Sequence, residues 1–150
     1  MQSFIRPATT ADIEALFEIR TSVVQNHLSR EQMLALGITP ASLAEAIAAA
    51  PCAWLAEVEG MPAAFAMVDL EDACVFALFV KPAFEGQGLA RQLMVEAEAA
   101  LFALHSRIWL ETDGRDGVRA NGFYRRLGWE VVAQLEEGDV RYEKVRQAPA

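Results

Sequence analysis

The sequence has little basic charge, few cysteines and no long apolar run, and each shortage excludes a class of protein. Its 13 lysine and arginine residues stand against 21 aspartate and glutamate residues, which gives a net charge of −8. Nucleic acids and anionic lipid surfaces both require basic residues, so we expect neither partner. No apolar run is long enough to span a bilayer, and the N-terminus lacks the apolar core of a signal peptide. We therefore expect a protein that does not enter membranes.

The two cysteines, Cys52 and Cys74, stand in apolar segments. Neither belongs to a Cys-x-x-Cys pair or to a cysteine and histidine cluster with metal-ligand spacing, so we predict no metal site. Free cysteine behaves as a small apolar residue, and we interpret both as buried thiols. Free thiols persist in a reducing compartment, which predicts a cytoplasmic protein.

The chain is rich in apolar residues, which make up 53% of its 150 positions. That length and composition predict one packed domain over residues 1–150. The first fifty residues have helical spacing. Thr9 and Asp12 form a capping-box pattern before a helix that extends as far as Val23 and Val24. Thr39 precedes a second or third helix that starts at Pro40.

From residue 52 the spacing becomes extended and predicts an antiparallel meander, with turns at 59–60 and 71–72. Its last strand, residues 73–80, is apolar throughout and should be covered on both faces. A helical stripe from Leu89 to Leu104 follows, then a strand, a short helix that ends at Gly128, and a terminal hairpin. This order predicts a mixed α/β (α+β) fold with a largely antiparallel sheet.

Two glycines, Gly86 and Gly88, stand between the last meander strand and the helix that follows it. A helix start offers unpaired N–H groups and the positive end of the helix dipole, and both suit phosphate. Glycine also lets the backbone approach a bulky anion. The segment fits neither of the nucleotide-binding glycine motifs, so by itself it predicts either a phosphate site or a plain strand-to-helix turn.

About thirty residues later the chain reads RANGFYRRLGW, on a short predicted helix. We expect Phe123 to belong to the core. Tyr124 should leave the helix from a different face, where its hydroxyl is either a surface group or a donor in a cleft.

Together these two segments resemble the signature segments of the GNAT superfamily, the acyl-CoA-dependent N-acyltransferases. LFVKPAFEGQGLARQLM matches the pattern Q/R-x-x-G-x-G/A at Gly88 and Ala90. The later segment matches A-x-x-F-Y-x-x-x-G-F/W at Ala120, Phe123, Tyr124, Gly128 and Trp129. The resemblance covers nearly the whole chain and implies a central, mostly antiparallel twisted sheet of about seven strands flanked by about four helices.

The resemblance implies acetyl-CoA as co-substrate, held in a V-shaped opening between the strand that ends at Val80 and the strand that ends at Glu111. The residues that it assigns to the cofactor are Phe79, Val80, Glu85, Gly86, Gln87, Gly88, Leu89, Ala90, Arg91, Asn121 and Tyr124. Four arginines are candidates to bind the 3′-phosphate of CoA, although each is also typical of a solvated helix surface: Arg91, Arg119, Arg125 and Arg126.

The chain departs from the family pattern at Glu85, where the family has Gln or Arg, and at Gly117, where Asn is common. Gly117 removes one contact to pantetheine, and Asn121 is the candidate to replace it. An inward carboxylate at Glu85 would repel a diphosphate, so we expect Glu85 to point outward. Replacement of Glu85 by glutamine should leave the affinity for acetyl-CoA unchanged or improve it. A large loss of affinity in titration calorimetry would contradict the outward position.

The implied reaction is direct attack of an amine on the thioester, without a covalent enzyme intermediate. Tyr124 resembles the family tyrosine that protonates the departing thiolate. A base helps to deprotonate the amine. Glu111 is the first candidate, ahead of Asp69 and Glu71, and all three can equally be ordinary surface carboxylates.

The resemblance leaves the acceptor open, because the N-terminal helices form the variable substrate region. His27 lies there as a candidate substrate residue, although a single histidine after a helix is more often structural. We expect an N-acetyltransferase for a small-molecule, amino-acid or peptide amine, with a homodimer through the C-terminal strands by family analogy. The alternative is a GNAT-fold module that binds acyl-CoA without transferring the acyl group and serves as a sensor or a partner-binding domain.

Overall fold

The described part of the protein, residues 3–24, 28–114 and 119–147 of a computed structural model, contains one seven-stranded sheet. The order of the strands across the sheet is β1-β2-β3-β4-β5-β7-β6, and every neighbouring pair is antiparallel except β4 and β5. The predicted mixed α/β fold with a mostly antiparallel sheet is confirmed. The strands are β1 (Ser3–Pro7), β2 (Ala53–Val58), β3 (Met61–Asp69), β4 (Cys74–Val80), β5 (Arg107–Asp113), β6 (Glu130–Gln134) and β7 (Asp139–Val145).

Five α-helices in the described residues flank this sheet, where the sequence predicted about four. Strand β3 is buried from both sides, because α1 packs against it on one face and α4 on the other. The glycine turn and the helix that follows it are therefore anchored on the centre of the sheet. The helices are α1 (Ile13–Ser22), α2 (Arg30–Ala35), α3 (Pro40–Ala49), α4 (Leu89–Phe102) and α5 (Arg119–Arg126).

The predicted helix starts are present where the sequence placed them. Thr9 forms a capping box with Asp12, which opens a short 3-10 turn before α1. Thr39 forms a second capping box, with Ser42, and Pro40 occupies the first position of α3. Each box pairs N–H groups that a helix start would otherwise leave without an acceptor.

The carboxylate of Asp12 also anchors α1 to the sheet. It accepts two hydrogen bonds of 2.9 Å from Arg6 on β1, which in turn donates to Glu57 on β2 at 2.6 Å. The hydrogen bonds from Arg6 lower the pKa of Asp12 from 3.8 to about 2. Because the folded-state pKa lies below the ordinary value, this stabilisation is complete above about pH 4 and is lost as the pH falls through about 2.

Replacement of Asp12 by asparagine should lower the free energy of unfolding at pH 7 by about 1 to 2 kcal/mol, after solvent screening of the ion pair is allowed for. Urea unfolding at pH 7 and at about pH 2.5 measures this difference. We expect the difference to shrink at the lower pH, where the carboxyl group is protonated in the unfolded chain and part of the stabilisation is lost. An equal loss at both pH values would contradict the assignment to the Asp12 charge.

Three apolar residues are more exposed than their spacing predicted. Val24 lies beyond the end of α1 with 85% of its surface exposed, and Leu104 lies beyond the end of α4 with 64% exposed. Phe76 is 49% exposed, so β4 is not covered on both faces as predicted. The register between β3 and β4 passes from Val75 to Ala77, so Phe76 lies at an irregularity and has no partner on β3.

The core contains Trp54 and Trp129, and the thiol of Cys52 is buried. Cys74 is half-buried instead of buried, and both cysteines are free. Burial raises the pKa of both thiols, that of Cys74 to about 12, so neither is a ready nucleophile. Among the described residues, no helix is both long and apolar enough to cross a membrane.

Candidate functional site

Strands β4 and β5 separate along their length and leave an opening at the centre of the sheet. They are parallel neighbours, and within the described residues their register contains a single pair, Cys74 with Trp109. The amide of Trp109 donates to Ala73 O at 3.0 Å, at the start of β4. Beyond this point Leu78, Phe79 and Val80 pair with β3 on one edge, while their other edge faces the gap. This is the V-shaped opening that the sequence resemblance implied.

The glycine turn closes the end of this opening. It joins a short 3-10 turn at Pro82–Phe84 to α4, and Gly86 and Gly88 both have φ of +79°. A Cβ atom added at either glycine would meet no other atom within 4 Å. The left-handed backbone, and not a lack of space, is therefore what requires glycine here.

Gly88 is the N-cap of α4 and, as a glycine, contributes no side-chain cap to this helix start. The first backbone hydrogen bond of the helix runs from the Gln92 N–H to Gly88 O at 3.2 Å. The N–H groups of Leu89, Ala90 and Arg91 precede it, so the described backbone gives them no helical acceptor. The predicted anion-binding turn thus has free donors at the positive end of a 14-residue helix.

The predicted cofactor residues between positions 79 and 91 lie around this turn. Glu85 is exposed at the start of the turn, Gln87 is half-buried, and Leu89 anchors α4 in the core through its side chain. Phe79 and Val80 lie at the end of β4. The structure therefore brings the β4 end, the turn and the start of α4 together at one end of the opening.

Tyr124 lies on α5 with 7% of its surface exposed, which excludes the surface position that the sequence left open. Its ring packs against those of Phe123, Trp129 and Tyr142 at centroid distances of 5.5, 6.5 and 5.4 Å. Among the described residues, no group forms a hydrogen bond with its hydroxyl. Burial raises the pKa of Tyr124 to about 12, so the phenol stays protonated and can donate at neutral pH.

The start of α5 is held by a buried side chain that the sequence assigned to the cofactor. Asn121 donates from Nδ2 to Asp113 O at 3.0 Å, and its Oδ1 accepts from the Tyr142 hydroxyl at 2.7 Å. These bonds tie α5 to β5 and β7 and fix the position of Tyr124 one turn later. Contact between Asn121 and a cofactor stays a prediction.

Glu111 lies on β5 and is exposed, opposite Arg141 of β7. Its carboxylate is 3.8 Å from the Arg141 guanidinium, which also stacks on Trp109 at 4.2 Å. The register of β4 shifts at Phe76, so that Phe79 and Cys74 lie on the same face of the sheet. Trp109 pairs with Cys74, so Glu111 also lies on this face, opposite the face that carries Tyr142 and Tyr124. A base on one face and an acid on the other would lie on either side of the opening.

The other two candidate bases lie at the turn before β4, where Asp69 pairs with Cys74 and Cys74 pairs with Trp109 of β5. Asp69 accepts hydrogen bonds of 3.1 Å from the amides of Glu71 and Asp72, and so stabilises the turn between β3 and β4. That turn precedes β4, whereas the glycine turn follows it, and the seven residues of β4 separate them by roughly 20 Å. The structure does not bring Asp69 or Glu71 together with the glycine turn.

Several predicted residues remain without a structural test. His27, Gly117 and the side chain of Arg119 lie outside the described residues. The other three arginines are exposed on helix surfaces, which fits both a contact with the 3′-phosphate of CoA and an ordinary solvated position: Arg91, Arg125 and Arg126. Within the described part of the chain, no group of three or more histidine, cysteine, aspartate or glutamate residues is placed to hold a metal ion.

Sequence reasoning missed two residues near the site, Tyr142 and Arg20. Tyr142 is fully buried and holds Asn121, and the alternation along its strand was the available signal. Arg20 follows Leu16 by four residues and Phe17 by three, which puts a charge on the apolar face of α1. An arginine at such a position could have been recognised from spacing alone.

Comparison with known protein families decides the family. The sequence profile described as "Acetyltransferase (GNAT) domain" matches residues 50–131, which is more than half of the chain. The chain belongs to the GNAT acetyltransferase family. The matched region of this GNAT domain includes β4, the glycine turn, α4 and α5, while α1, α2 and α3 lie before it.

Solved structures with the same fold extend the similarity over nearly the whole GNAT chain. PaiA N-acetyltransferase from Thermoplasma acidophilum, solved with coenzyme A, has a TM-score of 0.76 at 18% identity, and the alignment covers 97% of this chain and 100% of that one. The ribosomal-protein-S18-alanine N-acetyltransferase from Escherichia coli has a TM-score of 0.73 at 20% identity, with coverages of 99% and 97%.

Arabidopsis thaliana Naa50, in complex with the bisubstrate analogue CoA-Ac-MVNAL, has a TM-score of 0.71 at 16% identity, with coverages of 97% and 100%. No curated protein sequence matches the chain significantly. At such identities these likenesses establish the fold.

Proposed function

We propose that this protein is a single-domain N-acetyltransferase, over residues 1–150, that moves an acetyl group from acetyl-CoA to a primary amine. The observation that carries the proposal is the opening between β4 and β5, which has at one end helix amides without an acceptor among the described residues. Tyr124 on α5 packs against Tyr142 of β7, the strand next to β5. The coenzyme A and bisubstrate complexes of the structurally similar proteins support the choice of co-substrate.

The residues around the opening fit the parts of acetyl-CoA. The amides from Gly86 to Ala90 would hold the diphosphate, and backbone groups of Phe79 and Val80 would pair with pantetheine on the free edge of β4. Acetyl-CoA supplies the thioester that the amine attacks. The protein contributes mainly by holding the two reactants in position, which is worth up to about 7 to 11 kcal/mol when the geometry is good.

Two proton transfers accompany the formation of the C–N bond and the cleavage of the C–S bond. An alkylamine with a pKa of about 10.4 costs roughly 4.6 kcal/mol to deprotonate at pH 7, so a base is useful. We assign this role to Glu111, directly or through water. Tyr124 donates its proton, or a hydrogen bond, to the departing thiolate.

The proposal includes a cytoplasmic location, which the two free cysteines support. It also includes a homodimer through the C-terminal strands. Strand β6 is the last in the sheet order, and among the described strands it pairs with β7 alone, so its outer edge is free for a second copy.

The proposed reaction is tested by release of free thiol from acetyl-CoA over a panel of amines, alongside titration calorimetry with coenzyme A. We expect micromolar to millimolar binding, and turnover with at least one amine. Binding without turnover on any amine would favour the non-transferring acyl-CoA module. Absence of both binding and turnover would refute the proposed function.

A further inference from the structure

The N-terminal helices enclose a cavity of about 230 Å³ against β3 and β4. Its walls are apolar and include Phe17, Met33, Leu43, Phe65 and Phe79. A cavity of about 150 Å³ is large enough to admit benzene, so this one can hold an apolar group of that size together with a polar head. Arg20, on α1, is the one charged side chain among the described residues that line it.

Among the described residues, the guanidinium of Arg20 has no carboxylate partner. Its carbon Cζ lies 4.0 Å from the centre of the Phe79 ring, and its Nη1 is shut off from solvent without a hydrogen-bond partner in the described protein. Burial lowers the pKa of Arg20, yet an arginine remains charged in proteins. A desolvated charge without a partner destabilises a fold, which indicates that an anion completes the site when it is in use.

Arginines elsewhere in the described chain show what Arg20 lacks. Arg6 pairs with Asp12 and Glu57, and Arg30 pairs with Glu14. These side chains lie outside the cavity and have carboxylates within reach. Of Arg6, Arg20 and Arg30, only Arg20 has no carboxylate partner among the described residues, so its guanidinium is available to an anionic ligand.

The cavity adjoins the place where an acyl group would be delivered. Phe79 belongs to the β4 segment that faces the opening, and its ring forms part of the cavity wall beneath Arg20. Phe76, half-exposed on β4, lies at the same wall. Glu111, the assigned base, lies on this face of the sheet.

We propose that the cavity binds the acceptor and that the acceptor is a free apolar α-amino acid. The carboxylate of the amino acid pairs with Arg20, its side chain fills the apolar space, and its amine is left beside the thioester. This inference rests on the proposed function. A protein N-terminus has no carboxylate next to its amine, so it would leave Arg20 unpaired.

The test compares L-leucine, L-methionine and L-phenylalanine with their carboxamides as acceptors, and measures kcat/KM by thiol release. We expect the native protein to favour the free acids by about 10- to 100-fold, the value of one charge-assisted pair. Arg20→Met should remove this preference by lowering kcat/KM for the acids, with the amides changed less than about threefold. Arg20→Lys keeps the positive charge but cannot form a bidentate pair with the carboxylate. Its preference for the free acids should lie between those of the native protein and Arg20→Met.

Arg30→Met is the matched control, because Arg30 also lies over a phenylalanine ring, Phe17, at 5.0 Å but is exposed and paired with Glu14. It should leave the preference intact. Equal rates for acids and amides, or an unchanged preference in Arg20→Met, would overturn the inference while acetyl transfer stands. Faster transfer to a peptide N-terminus than to any of the three free acids would also overturn it.

A complete lack of turnover would defeat the proposed function, and calorimetry then decides on the cavity separately. With coenzyme A present, binding of L-leucine, L-methionine or L-phenylalanine to the native protein, weakened at least tenfold in Arg20→Met, would support the carboxylate site. No binding of any of the three at millimolar concentration would refute it.

Discussion

Replacement of Tyr124 by phenylalanine should lower kcat about 100-fold and leave the affinity for acetyl-CoA within about twofold of the native value. A positioned proton donor typically contributes a factor of this size or larger. The fold should tolerate the change, because within the described residues the Tyr124 hydroxyl forms no hydrogen bond and the packed ring is retained. Steady-state kinetics, together with calorimetry on coenzyme A, separates turnover from binding.

Tyr142 provides a matched control on the same aromatic cluster, 5.4 Å from the ring of Tyr124. Its hydroxyl donates to buried Asn121, so Tyr142→Phe removes a buried hydrogen bond and should cost about 1 to 3 kcal/mol of stability. We expect this variant to be less stable and much closer to native in kcat. Native turnover in Tyr124→Phe would remove Tyr124 from the mechanism.

Replacement of Gly88 by alanine should weaken the binding of coenzyme A about 10- to 100-fold. Gly88 has φ of +79° at the N-cap of α4, and a residue with a Cβ there is strained by about 1 to 2 kcal/mol. Relief of the strain turns the peptide group and moves the amides that would contact the diphosphate. Loss of one charge-assisted hydrogen bond has the stated effect on the dissociation constant.

The control for Gly88→Ala is Gly60→Ala, in the turn between β2 and β3. Gly60 has φ of +81°, and an added Cβ meets no atom within 4 Å at either position, so the two variants carry the same backbone strain. Both should lose similar stability in urea unfolding, while Gly60→Ala binds coenzyme A like the native protein. Equal affinities in the two variants would mean that the turn at Gly88 does not hold the diphosphate.

Local chemistry in the sequence was sufficient to predict the elements that position the site. The capping boxes at Thr9 and Thr39 and the glycine turn before α4 depend on neighbouring residues, so they can be read without tertiary structure. The same holds for the end of α5 at Gly128, whose φ is +93°. The glycine turn and Gly128 also belong to the two segments that carried the family resemblance.

Features that depend on distant parts of the chain could not be predicted in this way. The terminal hairpin was recognised, but the insertion of β7 between β5 and β6 depends on pairing across the sheet. The charge of Arg20 on the apolar face of α1 is visible in the spacing. That it has no carboxylate partner among the described residues depends on which groups the folded cavity brings near it.

The separation of acid and base candidates is likewise a tertiary property. Sequence reasoning gave Glu111, Asp69 and Glu71 as carboxylates near predicted strand ends. The strand register places Glu111 beside the opening and shows Asp69 capping a turn at the far end of β4. The sequence could only rank the three carboxylates as candidate bases, whereas the fold shows that they occupy different places.

A crystal structure with coenzyme A tests the central claim most directly. We predict that the diphosphate lies within hydrogen-bond distance of the amides from Gly86 to Ala90, that pantetheine passes between β4 and β5, and that the sulfur lies within reach of the Tyr124 hydroxyl. Coenzyme A bound elsewhere with the glycine turn empty, or a Tyr124 hydroxyl directed away from the sulfur, would contradict the account.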